Sequence, residues 1–228
     1  MSILGLINNK QIKKMKKNLF ALFFLMLAVF SFVSCGGDDD DNTVNGYEYV
    51  DLGLPSGTKW ARCNVGATSS ESTGSYFSWG EVAETNYSED DCYTYGISTY
   101  ELTQYGIVKD YKLTAEYDAA TSIMGTGWKM PSKNQFRELL DYCTWVWQEN
   151  PYGYKVIGEN GNSIFLPSTG YMTSGKSLSY KKEGYYWTSE IESNSSYYAN
   201  AIYFSSGTRY IDTFYRERGR CIRAVTTK

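Results

Sequence analysis

The residues that could do chemistry are limited first by what the chain lacks. None of the 228 residues is a histidine, so a Ser-His-Asp triad, a Cys-His pair and a histidine-ligated zinc site are all excluded. Proton transfer would depend on carboxylates, thiols, lysines or tyrosines. The order of the acidic residues singles out no pair for glycoside hydrolysis, which needs two carboxylates about 5–10 Å apart. The composition therefore favours binding over catalysis, and we predict no catalytic residue, cofactor or metal.

Cys35 is the one cysteine whose sequence context predicts a modification. It follows a lysine-rich segment and an almost unbroken apolar run over residues 19–33, which is shorter than the roughly 20 residues of a transmembrane helix. Residues 1–34 resemble a bacterial lipoprotein signal peptide cleaved before Cys35, although Phe32 stands where leucine is usual, and Met15 is an alternative start. We expect the Cys35 thiol to be diacylated.

Residues 35–46 read as an acidic, flexible tether. Two glycines precede four aspartates at positions 38–41, a composition that is not expected to fold. An acidic run after a lipidated cysteine resembles the export signal that sends Bacteroidota lipoproteins to the outer face of the outer membrane; the alternative is a solvated spacer. We therefore expect an outer-membrane protein, exposed on the cell surface, that contacts the membrane only through its lipid.

The charge of the mature chain argues against nucleic acid as a partner. Removal of residues 1–34 takes away five lysines and no acid, which leaves 17 basic and 25 acidic residues and a net charge of −8. A protein that binds the phosphate backbone usually carries a basic surface.

Four further cysteines lie in the expected exported domain, residues 47–228. They are Cys63, Cys92, Cys143 and Cys221. An even number in an exported domain predicts two disulfides, and three connectivities remain open. No CxxC pair is present, so nothing supports a zinc ribbon or a thioredoxin-type site.

Two helices are predicted in the middle of the domain. The first follows Thr114, a plausible N-cap, and stops at Gly125. The second begins at a capping box formed by Ser132 and Gln135 and carries an apolar stripe that extends to Cys143.

Strands are predicted on either side of these helices. Asn160-Gly161 predicts a type I′ turn, because both residues tolerate positive φ. Strand-like runs lie at residues 47–52, 58–63, 76–79, 154–159, 162–166, 185–189, 199–204, 209–215 and 221–225. Residues 64–110 otherwise predict long loops. The pattern as a whole predicts an α+β domain.

Six short sequence motifs resemble those of a known protein family. In chain order they are YVDLGLPSGTKW from residue 49, CNVGA from 63, WKMP from 128, GNSIFLP from 161, YWTS from 186 and GRCIR from 219. They resemble the Fibrobacter succinogenes major paralogous domain, a family of exported proteins of gut Bacteroidota, over nearly the whole of residues 47–228. The resemblance implies a C-type-lectin-like domain, similar also to formylglycine-generating enzymes, in which two helices accompany a twisted, mainly antiparallel sheet closed by the two termini.

The family resemblance leaves the biochemical role undefined, and this chain departs from the family at two positions. Ala224 stands where family members tend to have proline, and Cys221 stands where serine is common. Cys221 is therefore expected to form a disulfide special to this chain, with Cys143 or Cys92 as its partner.

The motifs of related sites are missing from this chain. Calcium-dependent lectins read sugars with Glu-Pro-Asn or Gln-Pro-Asp loops and a Trp-Asn-Asp strand, whereas Trp187 is followed by Thr188-Ser189-Glu190. We expect Trp187 to be a core residue, and the same holds for Trp60, Trp79 and Trp128. Copper-dependent formylglycine-generating enzymes use a paired-cysteine site. Here we expect the cysteines to form structural disulfides instead of such a site.

The tyrosine-rich stretch near the C-terminus is the remaining candidate for a ligand site. Tyr, Ser, Asn and Gly are the residues of antibody recognition loops, where tyrosine supplies large contact area at little entropic cost. The alternative is that tyrosine simply favours β-strands. The candidate binding residues are Tyr197, Tyr198, Tyr203, Tyr210 and Tyr215, with Asp212 and Arg216 as polar groups. We expect non-catalytic binding of a glycan or protein; an enzyme of the formylglycine-generating kind and a structural subunit of a surface assembly are the alternatives.

Lipidation of Cys35 can be tested directly. The Cys35→Ala variant should lose metabolic labelling by a palmitate analogue and should no longer fractionate with membranes, because the acyl chains supply the membrane affinity. A Cys63→Ala variant is the control and should be labelled normally. Labelling that persists in Cys35→Ala would contradict the lipoprotein interpretation.

Overall fold

Antiparallel sheets dominate the domain, and helices are few and short. The computed structural model describes residues 42–83, 89–173, 176–178, 182–192 and 195–228; the signal peptide, Cys35 and the aspartates of the tether lie outside them. The predicted tether extends too far, because Thr43–Val44 forms a strand and Val44 is buried. The described part of the chain is mainly β, with three α-helices, whereas the sequence predicts an α+β domain with two.

The strands and helices have the following bounds. The strands are β1 Thr43–Val44, β2 Tyr47–Asp51, β3 Lys59–Ala61, β4 Val108–Lys109, β5 Lys112–Leu113, β6 Thr144–Glu149, β7 Tyr152–Ile157, β8 Ser163–Pro167, β9 Tyr171–Thr173, β10 Lys176–Leu178, β11 Glu183–Ile191, β12 Tyr198–Ser205, β13 Thr208–Tyr215 and β14 Val225–Thr226. The helices are α1 Thr99–Gln104, α2 Ala119–Met124 and α3 Lys133–Tyr142, with a 3-10 helix at Ala115–Tyr117.

The strands form four antiparallel sheets. The terminal sheet has the order β1-β2-β3-β14, and it joins the first strands of the domain to the last because Val225 pairs with Trp60. The large sheet has the order β13-β12-β11-β5-β4. A third sheet has the order β6-β7-β8, and β9 pairs with β10. Residues 221–225 were predicted as the closing strand, but only Val225 of them lies in β14. Cys221 makes an isolated bridge to Tyr186 instead.

The second predicted helix is confirmed, and the first begins later than predicted. Ser132 Oγ accepts a hydrogen bond from Gln135 N at 3.2 Å, and Gln135 Oε1 accepts one from Ser132 N at 2.8 Å, which is the capping box expected before α3. The N-cap of α2 is Asp118 and not Thr114, which precedes the 3-10 helix. Asp118 serves this position better because its carboxylate accepts from the main-chain nitrogens of both Thr121 and Met130.

Helix α1 and the β7–β8 turn also differ from the sequence predictions. Helix α1 lies in a region predicted as loops, and its signal is a second capping box between Ser98 and Glu101. In the turn, Gly161 has a φ of 84° but Asn160 is not in the positive-φ region, so the turn is not type I′. The Asn160 amide donates instead to Asp51 O at 2.9 Å, which attaches the turn to β2.

The main core lies between one face of the large sheet and helix α3. Tyr186, Ile202 and Phe204 on that face pack with Phe136 and Leu139 in one buried cluster. The four tryptophans predicted to lie in the core are at most 1% exposed, which confirms that prediction. They are Trp60, Trp79, Trp128 and Trp187.

Arg223 connects the terminal sheet to β8 through the interior. Its guanidinium is fully buried and donates to Asn64 Oδ1, Ala61 O and Arg62 O at 2.8, 3.1 and 2.8 Å. The remaining nitrogen, Nη2, donates to Phe165 O at 2.8 Å. Burial lowers the pKa of Arg223, so these hydrogen bonds must offset the cost of removing the charge from water.

Arg223→Met should lower the free energy of unfolding by at least about 3 kcal/mol, because it leaves several buried oxygens without a donor. Arg223→Lys should give an intermediate loss, since an ammonium cannot reproduce the guanidinium fork. The measurement is urea denaturation. The control is Arg137→Met on the exposed side of α3, which should change stability by about 0.5 kcal/mol or less. Equal effects of Arg223→Met and Arg137→Met would show that Arg223 has no structural role.

Candidate functional site

An array of aromatic rings covers the face of the large sheet opposite to the core. Tyr185 pairs with Tyr203 across β11 and β12, and Tyr203 pairs with Tyr210 across β12 and β13. Residues directly opposite each other project from the same face, so the three rings form a row. Tyr171 of β9 and Phe214 of β13 adjoin Tyr185. We call these five residues the tyrosine surface.

The rings of the tyrosine surface are in contact with one another. Ring centroids lie 5.4 Å apart for Tyr171–Tyr185, 5.1 Å for Tyr185–Tyr203, 4.9 Å for Tyr203–Tyr210 and 5.5 Å for Tyr185–Phe214. Aromatic pairs at these separations are attractive beyond the area that they bury. Tyr210, at the outer end of the row, is 42% exposed, so the array reaches solvent.

Glu183 fixes the hydroxyl groups of two of these tyrosines. Tyr185 OH donates to Glu183 Oε2 at 3.0 Å, and Tyr203 OH donates to Glu183 Oε1 at 3.1 Å. Burial and, to a smaller extent, the adjacent carboxylate raise the pKa of both tyrosines. Both hydroxyls therefore stay protonated at neutral pH, and their positions are set before any ligand arrives.

Arg220 is a buried cation in contact with several of these rings. Its Cζ is 4.4 Å from the centroid of Trp187, 4.9 Å from Phe214, 5.5 Å from Tyr185 and 5.7 Å from Tyr171. Arg220 Nη1 donates to Tyr215 O at 3.0 Å, and Nε has no acceptor within the described part of the chain. Burial lowers the pKa of Arg220 to about 9, so the group remains charged at neutral pH and can attract the faces of the rings.

A second aromatic cluster lies at the far end of β13. Its members are Tyr95, Tyr197, Tyr198 and Tyr215, and the Tyr198 and Tyr215 rings are 4.6 Å apart. Arg218 connects the two groups, because its Cζ lies 5.1 Å from the Tyr171 ring and 5.4 Å from the Tyr215 ring. The two clusters nevertheless lie on opposite faces of the sheet, because Tyr198 and Tyr215 each directly adjoin, along their strands, the residues of the Ala199–Phe214 pair, and successive residues of a strand alternate between faces.

The structure distributes the predicted ligand-binding residues over both clusters. Tyr203 and Tyr210 belong to the tyrosine surface, and Asp212 is exposed beside them on the same face of β13. The second cluster contains the other three predicted tyrosines, of which Tyr197 and Tyr215 are 47% and 39% exposed. The prediction did not include Glu183, Tyr185, Tyr171, Tyr95, Phe214 or Arg220, because their proximity depends on strand register and on loop positions.

Arg216 was predicted as a polar group on this face, and that prediction is wrong. Its side chain is fully buried and donates to Thr94 O and Ile97 O at 3.0 Å, to Tyr198 O at 3.0 Å and to Ser195 O at 2.6 Å. Burial lowers the pKa of Arg216 to about 10. Because its donors are directed at main-chain carbonyls of two loops, Arg216 holds the loops in place and does not face a ligand.

The four cysteines of the domain do not form the predicted disulfides in the structure. Cys92 is buried beside Thr94, and burial raises the pKa of its thiol to about 12. Cys143 ends α3, where burial raises its pKa to about 11. Cys221 lies in the core cluster, and Cys63 is half-buried next to Arg62. None of the four is in a disulfide.

The tyrosine surface should contribute little to folding where it is exposed. Tyr210→Ala should lower the free energy of unfolding by about 1 kcal/mol or less, the range of an exposed cross-strand pair. Trp187→Ala should lower it by about 3–5 kcal/mol, since it empties a buried site. Urea denaturation of both variants, with Tyr210→Phe as the control that keeps the ring, measures the difference. Equal losses in Tyr210→Ala and Trp187→Ala would identify Tyr210 as a core residue.

Further searches of the chain give no additional assignment. The described residues contain no group of three or more acidic or cysteine side chains placed to hold a metal ion. Within the same residues, no helix has both the length and the apolar content needed to cross a membrane. No protein-family model, no curated protein and no solved structure matches the chain.

Proposed function

We propose that the chain is a lipid-anchored protein of the outer cell surface whose C-type-lectin-like domain binds a glycan or protein ligand without catalysis. The tyrosine surface is the proposed binding site. The observation that carries this proposal is the fixation of half-buried aromatic rings, next to the exposed Tyr210, by two buried or half-buried charged groups, Glu183 and Arg220.

The geometry suits recognition for two physical reasons. Tyrosine rings provide a large contact area, and they have few torsions to immobilise on binding. The row from Tyr171 to Tyr210 is already packed, and Glu183 holds the central hydroxyls. A ligand that meets preorganised groups loses less entropy on binding. Asp212, Glu183 and Arg218 at the margins can supply polar contacts that fix its orientation.

The fold proposal has its own support. The terminal sheet joins β1, β2 and β3 to β14, as expected for a domain closed by its two termini. The motifs at residues 49–60 and 219–223 come close together there, since Arg223 donates to the carbonyl oxygen of Ala61, the β3 residue that follows Trp60. Anchoring and surface exposure rest on the sequence of residues 1–41.

The binding proposal can be tested with the purified full chain on a printed glycan array and on a panel of purified host extracellular proteins. For at least one of the ligands found, Tyr210→Ala should weaken the affinity by about 30-fold or more, the effect of losing a hot-spot side chain. Glu183→Gln should also weaken it, because the amide accepts only one of the two tyrosine hydroxyls. Chelator should leave binding unchanged.

The matched control is Tyr100→Ala on α1, a tyrosine that is 73% exposed and belongs to neither aromatic cluster. Its affinity should equal that of the unmodified protein. A ligand whose affinity falls in Tyr100→Ala but not in Tyr210→Ala or Glu183→Gln would exclude the tyrosine surface as its site.

A further inference from the structure

A polar groove lies along the terminal sheet, away from the tyrosine surface. It consists of two adjoining clefts, of about 390 Å³ and about 420 Å³, each within the size range of small-ligand sites. Glu48, Arg62 and Ser70 line both clefts, and the second cleft lies between the terminal sheet and the β6-β7-β8 sheet. We call this feature the terminal groove.

The two sides of the terminal groove are held at a fixed separation by Arg223. One side contains Arg62, whose carbonyl oxygen accepts from Arg223 Nη1 at 2.8 Å. The other side contains Phe165 of β8, whose carbonyl oxygen accepts from Arg223 Nη2 at 2.8 Å. One buried guanidinium thus spans both sides, so the groove is formed before a ligand binds, and the entropic cost of binding is reduced.

The centre of the groove offers a donor and an acceptor side by side. Arg62 Nη1 lies 2.5 Å from Glu48 Oε2, and the two side chains are 59% and 55% exposed. This ion pair uses one nitrogen of a guanidinium that has five N–H donors and one oxygen of a carboxylate that has two. Neighbouring sugar hydroxyls, each of which donates and accepts, match such a pair. Hydrogen bonds to charged groups are also stronger than those between neutral groups.

The apolar floor and the overall charge of the groove further limit the class of ligand that it could bind. Phe165 and Val50 are half-buried on the floor, where they provide the apolar contact that the C–H face of a sugar ring needs. Lys155 and Glu71 line the second cleft, and with the Arg62–Glu48 pair they give two positive and two negative charges. The groove has no net charge to favour an anionic ligand.

We propose that the terminal groove binds a short, neutral oligosaccharide. The ring of Phe165 stacks on one sugar, and the Arg62–Glu48 pair binds two adjacent hydroxyls of the same or the next sugar. This site is independent of the tyrosine surface, so the domain can hold two ligands at once.

The test is isothermal titration calorimetry of the full chain with three neutral hexasaccharides, cellohexaose, mannohexaose and xylohexaose, and with hexagalacturonate as the acidic counterpart. At least one neutral hexasaccharide should bind, and hexagalacturonate should bind more weakly. Phe165→Leu keeps an apolar residue on the floor but removes the flat ring, and it should weaken binding about tenfold. Arg62→Met should weaken binding by tenfold or more, because it removes the donors of the ion pair.

Tyr210→Ala is the control that separates this site from the tyrosine surface, and it should leave binding of these hexasaccharides unchanged. The proposal is overturned if no neutral hexasaccharide binds at about 10 mM, a concentration about ten times a weak dissociation constant of 1 mM. It is also overturned if hexagalacturonate binds most tightly, or if Tyr210→Ala abolishes binding while Phe165→Leu and Arg62→Met do not.

Discussion

The domain depends on three buried guanidinium groups in one short segment near its C-terminus. Arg216, Arg220 and Arg223 are each at most 2% exposed. Most of their hydrogen bonds go to main-chain carbonyl oxygens, and none of those found in the structure pairs them with a carboxylate. A buried charge is tolerated only where hydrogen bonds replace water. Each arginine therefore requires a particular arrangement of surrounding carbonyls, and its hydrogen bonds fix the segments to which those carbonyls belong.

The two proposed sites are both built on this segment. Arg220 contacts the rings of the tyrosine surface, and Arg223 sets the width of the terminal groove. The exposed residues proposed to meet ligands contribute little to the core, which consists of tryptophans and the cluster around Phe204. In these proposals, the ligand contacts and the core therefore use different residues. Exposed positions such as Tyr210 and Lys155 can therefore change without loss of the fold.

Local patterns in the sequence predict local structure well in this chain. The capping box at Ser132 locates α3, and the alternation of residues in β12 correctly places Ile202 and Phe204 in the core. The burial of the tryptophans also follows from their positions in short apolar motifs. About half of the tyrosine surface was predictable, because Tyr203 and Tyr210 lie on the face opposite to that core. The remainder depends on partners distant in sequence: Tyr185 joins the row through the register of β11 with β12, and Tyr171 joins it through the position of the separate strand β9. Arg216 can be buried because four main-chain carbonyls from two segments accept its hydrogen bonds. No local pattern in the sequence predicts that these carbonyls come together.

The pairing of β3 with β14 has a consequence for biosynthesis. The terminal sheet is complete only when residues 225–226 pair with residues 59–60. Contacts between residues so distant in sequence form slowly. During translation the growing chain therefore lacks its final tertiary closure until residue 226 has been added. A chain truncated just before Arg216 would still contain every residue from β1 to β13. It would nevertheless lack the three guanidinium groups that join those strands into one domain.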